Sequence, residues 1–441
     1  MTTVVRSFRS FDRPAQILMV NQFSINVGFY MLMPYLAGYL AGPLGLAAWA
    51  VGLVLGVRNF SQQGMFLLGG TLADRLGYKP LIVAGCLLRV AGFGLLAVVE
   101  SLPAILIASV ATGFAGALFN PAVRAYLAAD AGPRRVEAFA VFNIFYQAGI
   151  LLGPLVGLAL TMLDFRTTAL AAAAVFAVLT VMQIWALPAH RTAPTAGARS
   201  VVDDWRSVVS NRPFVLFALA MIGSYVLSFQ VYLALPLQAA DIVGGEKFDT
   251  ALVTALFVVS GLVAIAGQLR ITAWCTRRWG SGLPLVVGML IMSGAFVPLA
   301  VISGPDTLGT AAAGGALLLT AAVLAVGTAA VFPFEMDTVV ALAGGRLVAT
   351  HYGFYNTVVG VGILLGNLGT GAVFGALTDA GLHSLIWVML TVLGVGCAAA
   401  LLVLHRSGRL VPPPTDGADL EPDDPVPGGD AAGDDGVTSR T

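Results

Sequence analysis

The sequence predicts an all-α polytopic membrane protein with 12 transmembrane helices in two pseudo-symmetric six-helix halves. Three observations predict it. Hydrophobic residues fill 58% of the 441 positions and charged residues only 10%, against about 25% charged in a soluble domain. The apolar runs approach the roughly 20 residues that a helix needs to cross a bilayer, and they do not alternate as barrel strands would. The loops also segregate by charge. Arg75 and Lys79, Arg134 and Arg135, the arginines of 188–212, Arg277 and Arg278, and Arg346 fall on one side. The opposite loops hold only Arg166 and Lys247. Both ends of the chain join the basic side through Arg6, Arg9, Arg13, Arg406 and Arg409. The positive-inside rule puts that side in the cytoplasm, and two ends on one side require an even number of spans.

Taken in order, residues 1–14 are a polar lead-in. The first apolar run begins near Ile17 and is far longer than the apolar region of a signal peptide, so it reads as a span. Helices are expected roughly over 16–40, 46–70, 80–99, 102–127, 137–163 and 168–187, forming an N-terminal six-helix bundle over 1–187. Residues 188–212 are the longest internal polar segment and read as a cytoplasmic linker. Trp205, Val208 and Val209 suggest a short amphipathic surface helix within it. A C-terminal bundle over 213–405 follows, with helices roughly over 213–237, 250–273, 282–303, 310–334, 351–377 and 382–404. Residues 406–441 form an acidic cytoplasmic tail. Its Pro-, Gly- and Asp-rich composition predicts disorder, because it cannot bury enough apolar area to fold.

The formal net charge is zero, but residues 411–441 carry eight acids and one base, leaving the rest net positive by seven. Basic membrane-flanking loops account for this without a nucleic-acid partner. Cys86, Cys275 and Cys397 lie in or beside separate apolar runs and show neither metal nor disulfide spacing. His190, His351, His383 and His405 are dispersed, and none joins an acid pair, so no catalytic constellation points to an enzyme. No phosphate-binding Walker motif is present.

Two segments match at an offset of 213. Phe142-Asn143 with Gly149-Ile150-Leu151-Leu152-Gly153 corresponds to Tyr355-Asn356 with Gly362-Ile363-Leu364-Leu365-Gly366. Asp74-Arg75-Leu76-Gly77 is echoed weakly by Arg277-Arg278-Trp279-Gly280. Two similar halves suit a machine that rocks about a central site.

The short turn Gly69-Gly70-Thr71-Leu72-Ala73-Asp74-Arg75-Leu76-Gly77-Tyr78-Lys79-Pro80 separates two apolar runs that each hold one charge, Arg58 and Arg89. Its pattern resembles the loop between helices 2 and 3 of the major facilitator superfamily. The run from Leu55 to Phe93 is similar to drug:H+ antiporters of that superfamily, notably the MdtH-like multidrug efflux group. The resemblance covers roughly residues 16–405 and implies the major facilitator fold. It implies that Gly70, Asp74, Arg75, Gly77 and Lys79 form a conformational latch, with Asp74 holding the outward-open state through helices 2, 4 and 11. Tyr78 stands where a basic residue is usual. Gly149, Gly153, Pro154 and Gly157 resemble the antiporter signature of helix 5, with Leu158 replacing its last glycine. Read from the residues alone, glycines at this spacing make a flat packing face, and the proline kinks the helix.

Arg58 lies about halfway along helix 2, where an arginine is costly unless it faces water or a partner. It shares a face with Gln62 and is expected to line the pathway, either contacting substrate or pairing with a carboxylate. A structural pair with polar groups of helix 4 or 11 is the plainer alternative. Arg89 and Arg270 are expected to snorkel toward helix ends. The family's helix-1 carboxylate seat is empty here, and Ala108–Gly113 lacks the family's helix-4 arginine. The proton-coupling candidates are therefore Asp74, Glu335 and Asp337. The last two are placed at the inner end of helix 10, opposite the Asn120–Arg124 stretch of helix 4. An inter-half contact there would be weakened by protonation of a carboxylate.

Expected cavity residues are Phe23, Asn26, Tyr30, Arg58, Gln62, Asn143, Tyr146, Gln147, Tyr225, Phe229, Tyr232, Tyr355 and Asn356. Such an aromatic, amide-bearing lining favours amphipathic organic molecules, although an aromatic stripe is also ordinary core packing. The expected function is export of small amphipathic molecules in exchange for protons, by a monomer in the bacterial cytoplasmic membrane. The proton is the coupling ion, with no metal or organic cofactor. The alternatives are an importer or facilitator of an anionic metabolite, or a non-transporting scaffold or sensor.

Overall fold

The computed structural model describes residues 2–161, 164–188, 200–243, 246–280, 282–302, 304 and 308–410. The acidic tail beyond 410 and the linker arginines Arg191 and Arg199 lie outside the described residues. Among those described, every regular element is helical. A short α1, Thr2–Arg9, precedes α2, Arg13–Tyr30, and α3, Met33–Ala41. There follow α4, Ala48–Gln63; α5, Phe66–Leu76; α6, Tyr78–Val98; α7, Leu102–Ala131; α8, Arg135–Thr161; and α9, Phe165–Ala186. The linker contributes α10, Val201–Ser210. The second set comprises α11, Arg212–Phe229; α12, Ala234–Val243; α13, Glu246–Trp279; α14, Leu283–Gly294; α15, Val297–Val301; α16, Thr310–Ala343; α17, Val348–Asp379; and α18, Leu385–Arg406.

Nine stretches among the described residues are long and apolar enough to cross a membrane, and one of them, Leu102–Gly157, takes in both α7 and most of α8. Residues 13–41 and 48–76 are not among the nine; each is split into two shorter helices. The splits have local causes. Pro34 has no N–H to return to Tyr30, and Pro236 has none for Tyr232, so the chain breaks at 31–32 and passes through a 3₁₀ turn over Gln230–Tyr232. Pro298 follows the break at Ala295–Phe296 in the same way. Gly64 and Met65 separate α4 from α5.

Several ends differ from expectation. Helix α16 was expected to stop near 334 and continues to Ala343. Helix α13 was expected to stop near 273 and runs to Trp279, taking Arg277 and Arg278 into its last turn. A charged residue at a membrane boundary does not itself end a helix; backbone bonding continues until a glycine or proline stops it. Gly344, in the left-handed region at φ 60°, is such a stop. The linker helix forms, with Ser200 and Asp203 in a reciprocal capping box. Val208 is buried and Val209 exposed, so these two do not share one apolar face.

Candidate functional site

The basic end is closed by contacts between helices far apart in sequence. Gly77 ends α5 at φ 92°, ψ 156°, a backbone conformation that side chains disfavour. Helix α6 therefore begins at once, and Asp74 is turned toward the start of α17. Asp74 Oδ1 accepts the Ala349 N–H at 3.1 Å, and Oδ2 accepts the Thr350 N–H and the Thr350 hydroxyl, each at 2.7 Å. First-turn N–H groups have no acceptor inside their own helix, and a carboxylate there also meets the positive end of the helix dipole. A Cβ on Gly70 would overlap the Ala349 carbonyl, and one on Gly353 would overlap the Phe66 carbonyl. Helices α5 and α17 thus meet backbone to backbone, as small residues allow inside membranes.

The other polar residues of the 69–80 stretch bind their surroundings. Arg75 grips Asp204 of the linker helix, with Nε at 3.0 Å and Nη2 at 2.6 Å from Oδ2. Trp205 Nε1 donates to Thr71 Oγ1 at 2.9 Å. Lys79 Nζ donates to the Ile184 carbonyl at 2.7 Å. A second bond joins the first set of helices to the second: Arg135 Nε donates to Asp337 Oδ1 at 2.8 Å. The expected partner stretch for Asp337 was Asn120–Arg124, so the pairing is corrected to Arg135, at the start of α8. Arg124 donates through Nη1 to the Asn120 carbonyl at 3.4 Å and lies within electrostatic reach of Glu335, so its expected place opposite that carboxyl stands.

Glu335 also differs from expectation. Because α16 continues past it, Glu335 lies within the helix and not at its end. It is 3% exposed, and its Oε1 accepts hydrogen bonds from the Tyr225 hydroxyl at 2.6 Å and the Tyr355 hydroxyl at 2.7 Å. All three residues belong to the second set of helices.

The helix-5 glycines form a seam with α2 and the break that follows it. A Cβ on Gly149 would stand 2.6 Å from Asn26 Cβ, and one on Gly153 would stand 2.7 Å from Tyr30 Cβ. One on Gly157 would overlap the Met31 carbonyl. Pro154 lies within α8, and its carbonyl accepts the Tyr35 hydroxyl at 2.7 Å.

Between the two ends, aromatic, amide and guanidinium groups gather. Tyr30 lies within electrostatic reach of Tyr146, Tyr232, Arg58 and Arg89, which brings α2, α4, α6, α8 and the turn after α11 together. Tyr232 is half-exposed and packs on Phe229 and Phe257 with centroids 5.6 Å apart in each case. Arg58 donates to Asn59 Oδ1 at 2.9 Å and to Gln62 Oε1 at 3.0 Å, and its guanidinium lies 4.4 Å from the Phe29 ring centre. Phe23, Gln147 and Phe229 are partly buried.

Besides Gln62, three of the expected lining amides bond to protein groups. Asn26 accepts from Gln22 Nε2 at 3.1 Å and donates to the Tyr146 carbonyl at 2.8 Å. Asn143 donates to Gln268 Oε1 at 2.7 Å, linking α8 to α13. Asn356 donates to the Tyr352 carbonyl of its own helix at 2.7 Å. Sequence reasoning missed Gln268, whose place among Gly, Leu and Ala of a span was its available signal. It also misplaced Arg89. That side chain does not snorkel to an end; it is 5% exposed, 5.1 Å from the ring centres of both Phe29 and Phe176. Its mid-run position, as for Arg58, was the signal.

Comparison with known proteins agrees with this architecture. Residues 18–367 match the profile described as Major Facilitator Superfamily. An uncharacterised MFS-type transporter of Mycobacterium tuberculosis (strain ATCC 25618 / H37Rv) is 61% identical over 394 residues, covering 89% of this chain and 94% of the relative. The multidrug resistance protein MdtH of Cronobacter sakazakii is 30% identical over 400 residues, covering 90% and 95%. The crystal structure of a mutant of the nucleoside transporter NupG superposes with a TM-score of 0.59 at 18% identity, covering 88% of this chain and 99% of that one, a likeness of fold alone. The chain belongs to the major facilitator superfamily.

Proposed function

We propose that the chain exports small amphipathic organic molecules in exchange for protons across a bacterial cytoplasmic membrane. We read twelve crossings in two six-helix halves, with residues 1–187 and 213–405 as the bundles. The basic end then faces the cytoplasm. The observation that carries the reading is the clasp of Asp74 on the first turn of α17. It joins two helices from different bundles, at the basic end, through bonds that a rocking motion would break. Arg135–Asp337 adds a second such bond at the same end. The conformation is accordingly closed to the cytoplasm, the state from which an exporter releases its substrate.

Proton coupling is assigned to Glu335, with Asp74 and Asp337 as gate residues. Glu335 sits where two hydroxyls are its partners, and a change from this tyrosine-lined seat to a hydrated one changes its hold on a proton. The 30% identity to an MdtH protein supports the efflux reading. A second reading, transport of an anionic metabolite, is favoured by the two arginines near Phe29. The test is reconstitution into vesicles with an internal pH dye and an imposed pH gradient. Substrate-driven proton flux that vanishes in Glu335→Gln supports antiport; uptake or release with no proton movement overturns it.

A further inference from the structure

Arg58 and Arg89 approach the same aromatic ring, Phe29, at 4.4 Å and 5.1 Å from its centre. Neither takes part in an ion pair among the described residues. The titratable groups in electrostatic reach of Arg89 are Cys86, Tyr30 and Tyr146, and those of Arg58 are Tyr30 and Arg89 itself. None of these is a carboxyl. Arg89 Nε and Nη1 and Arg58 Nε are buried with no hydrogen-bond partner. Aromatic faces attract a guanidinium but accept no N–H in its plane. Gln62 and Asn59 hold Arg58 through neutral oxygens only. Two like charges share one ring inside a membrane-spanning bundle, and the described residues supply neither counter-charge nor a full set of acceptors.

We propose that Arg58 and Arg89 form the seat for an anionic group, a carboxylate, sulfonate or phosphate, on the aromatic or apolar body of the transported molecule. The proposal rests on the transport reading above and names the charge class of its substrate. A planar guanidinium fork matches two anionic oxygens, which would satisfy N–H groups that the rings leave unbonded. Gln62 and Arg58 are partly buried, Arg89 is buried, and half-exposed Tyr232 lies within electrostatic reach of Tyr30 from the second set of helices. Phe29, Tyr30 and Tyr232 would then pack the apolar body while the arginines hold its charge.

The experiment compares two fluorescent probes that share one aromatic body, anilinonaphthalene sulfonate and its uncharged analogue phenylnaphthylamine. Binding is measured on the purified full chain in lipid nanodiscs, with empty nanodiscs subtracted. The native protein should prefer the sulfonate by about tenfold or more. Arg89→Gln and Arg58→Gln should each abolish the preference while retaining affinity for the uncharged probe, and Arg89→Lys should restore part of it. Gln62→Glu keeps both arginines and places a carboxylate on Arg58; it should also abolish the preference, and it answers the case in which Arg89→Gln fails to fold. Equal affinity of the native protein for both probes overturns the proposal, as does a sulfonate preference that survives both Arg58→Gln and Gln62→Glu. Proton flux distinguishes the two levels. Flux without sulfonate preference leaves transport standing and removes the seat. Sulfonate preference without any flux does the reverse.

Discussion

Buried charge is handled in opposite ways before residue 188 and after residue 212. In the first set of helices the deep charges are cations, Arg58 and Arg89, held by the faces of Phe29 and Phe176 with several N–H groups unbonded. In the second set the deep ionisable group is a carboxyl, Glu335, with two tyrosine hydroxyls on one oxygen. The repeated segments differ in the same direction. Asn143 reaches across to Gln268, whereas Asn356, at the matching place, bonds within its own helix. One sequence pattern, used twice, therefore supports two kinds of polar site. On the proposed antiport, this difference becomes a division of labour, with the charge of the substrate met by the first set of helices and the proton carried by the second.

The largest test of that division is Glu335→Gln. Substrate-driven proton flux should fall to the level of empty vesicles, while binding of the sulfonate probe stays within about twofold, since the two sites share no bonded residue. A comparable loss of probe binding would break the division. The glycine seams give the next largest contrast. Gly157 abuts the Met31 carbonyl, whereas Gly366 abuts side-chain atoms of Val226. Gly157→Ala should cost roughly 1–3 kcal/mol, because backbone yields less readily than a side chain. Gly366→Ala should cost less. Thermal unfolding of the two variants in the same detergent checks the order.

Asp74 tests the boundary between the halves. Removing its charge in Asp74→Ala takes away a helix cap and a dipole contact, together about 1 kcal/mol. Amide exchange at Ala349 and Thr350 should quicken about fivefold if the clasp limits opening. Unchanged exchange would locate the gate elsewhere, with Arg135–Asp337 the next place to look. The smallest effect is expected at Arg75→Ala. Arg75 is about a third exposed in its pair with Asp204, so solvent screening keeps the loss below roughly 1 kcal/mol. Melting and proton flux should both stay near native values.

Much of this was legible in sequence. The long apolar runs implied helices that span a membrane, and the run from Gly69 to Pro80 pointed to the superfamily. Arg58 and Gln62 were joined correctly, because residues four apart on a helix share a face. Other residues were misread for identifiable reasons. Arg89 looked like a snorkelling arginine, because sequence position does not reveal that Phe29 and Phe176 enclose it. Glu335 was placed at a helix end, because its acidity suggested an interface with water and its tyrosine partners lie 110 and 20 residues away.

The sequence by itself determined the class of fold, the chain's kinship and which residues are too costly to bury without a reason. Those properties depend on composition, local period and motif, which are fixed along the chain. Only the tertiary structure decided that Asp74 caps α17, that Arg135 rather than Arg124 meets Asp337, and that two arginines share a ring while Glu335 has two hydroxyls. The reason is range. A side chain acts over a few ångströms, and the partners that set its role here are separated by up to 276 positions of chain, a distance that only packing removes.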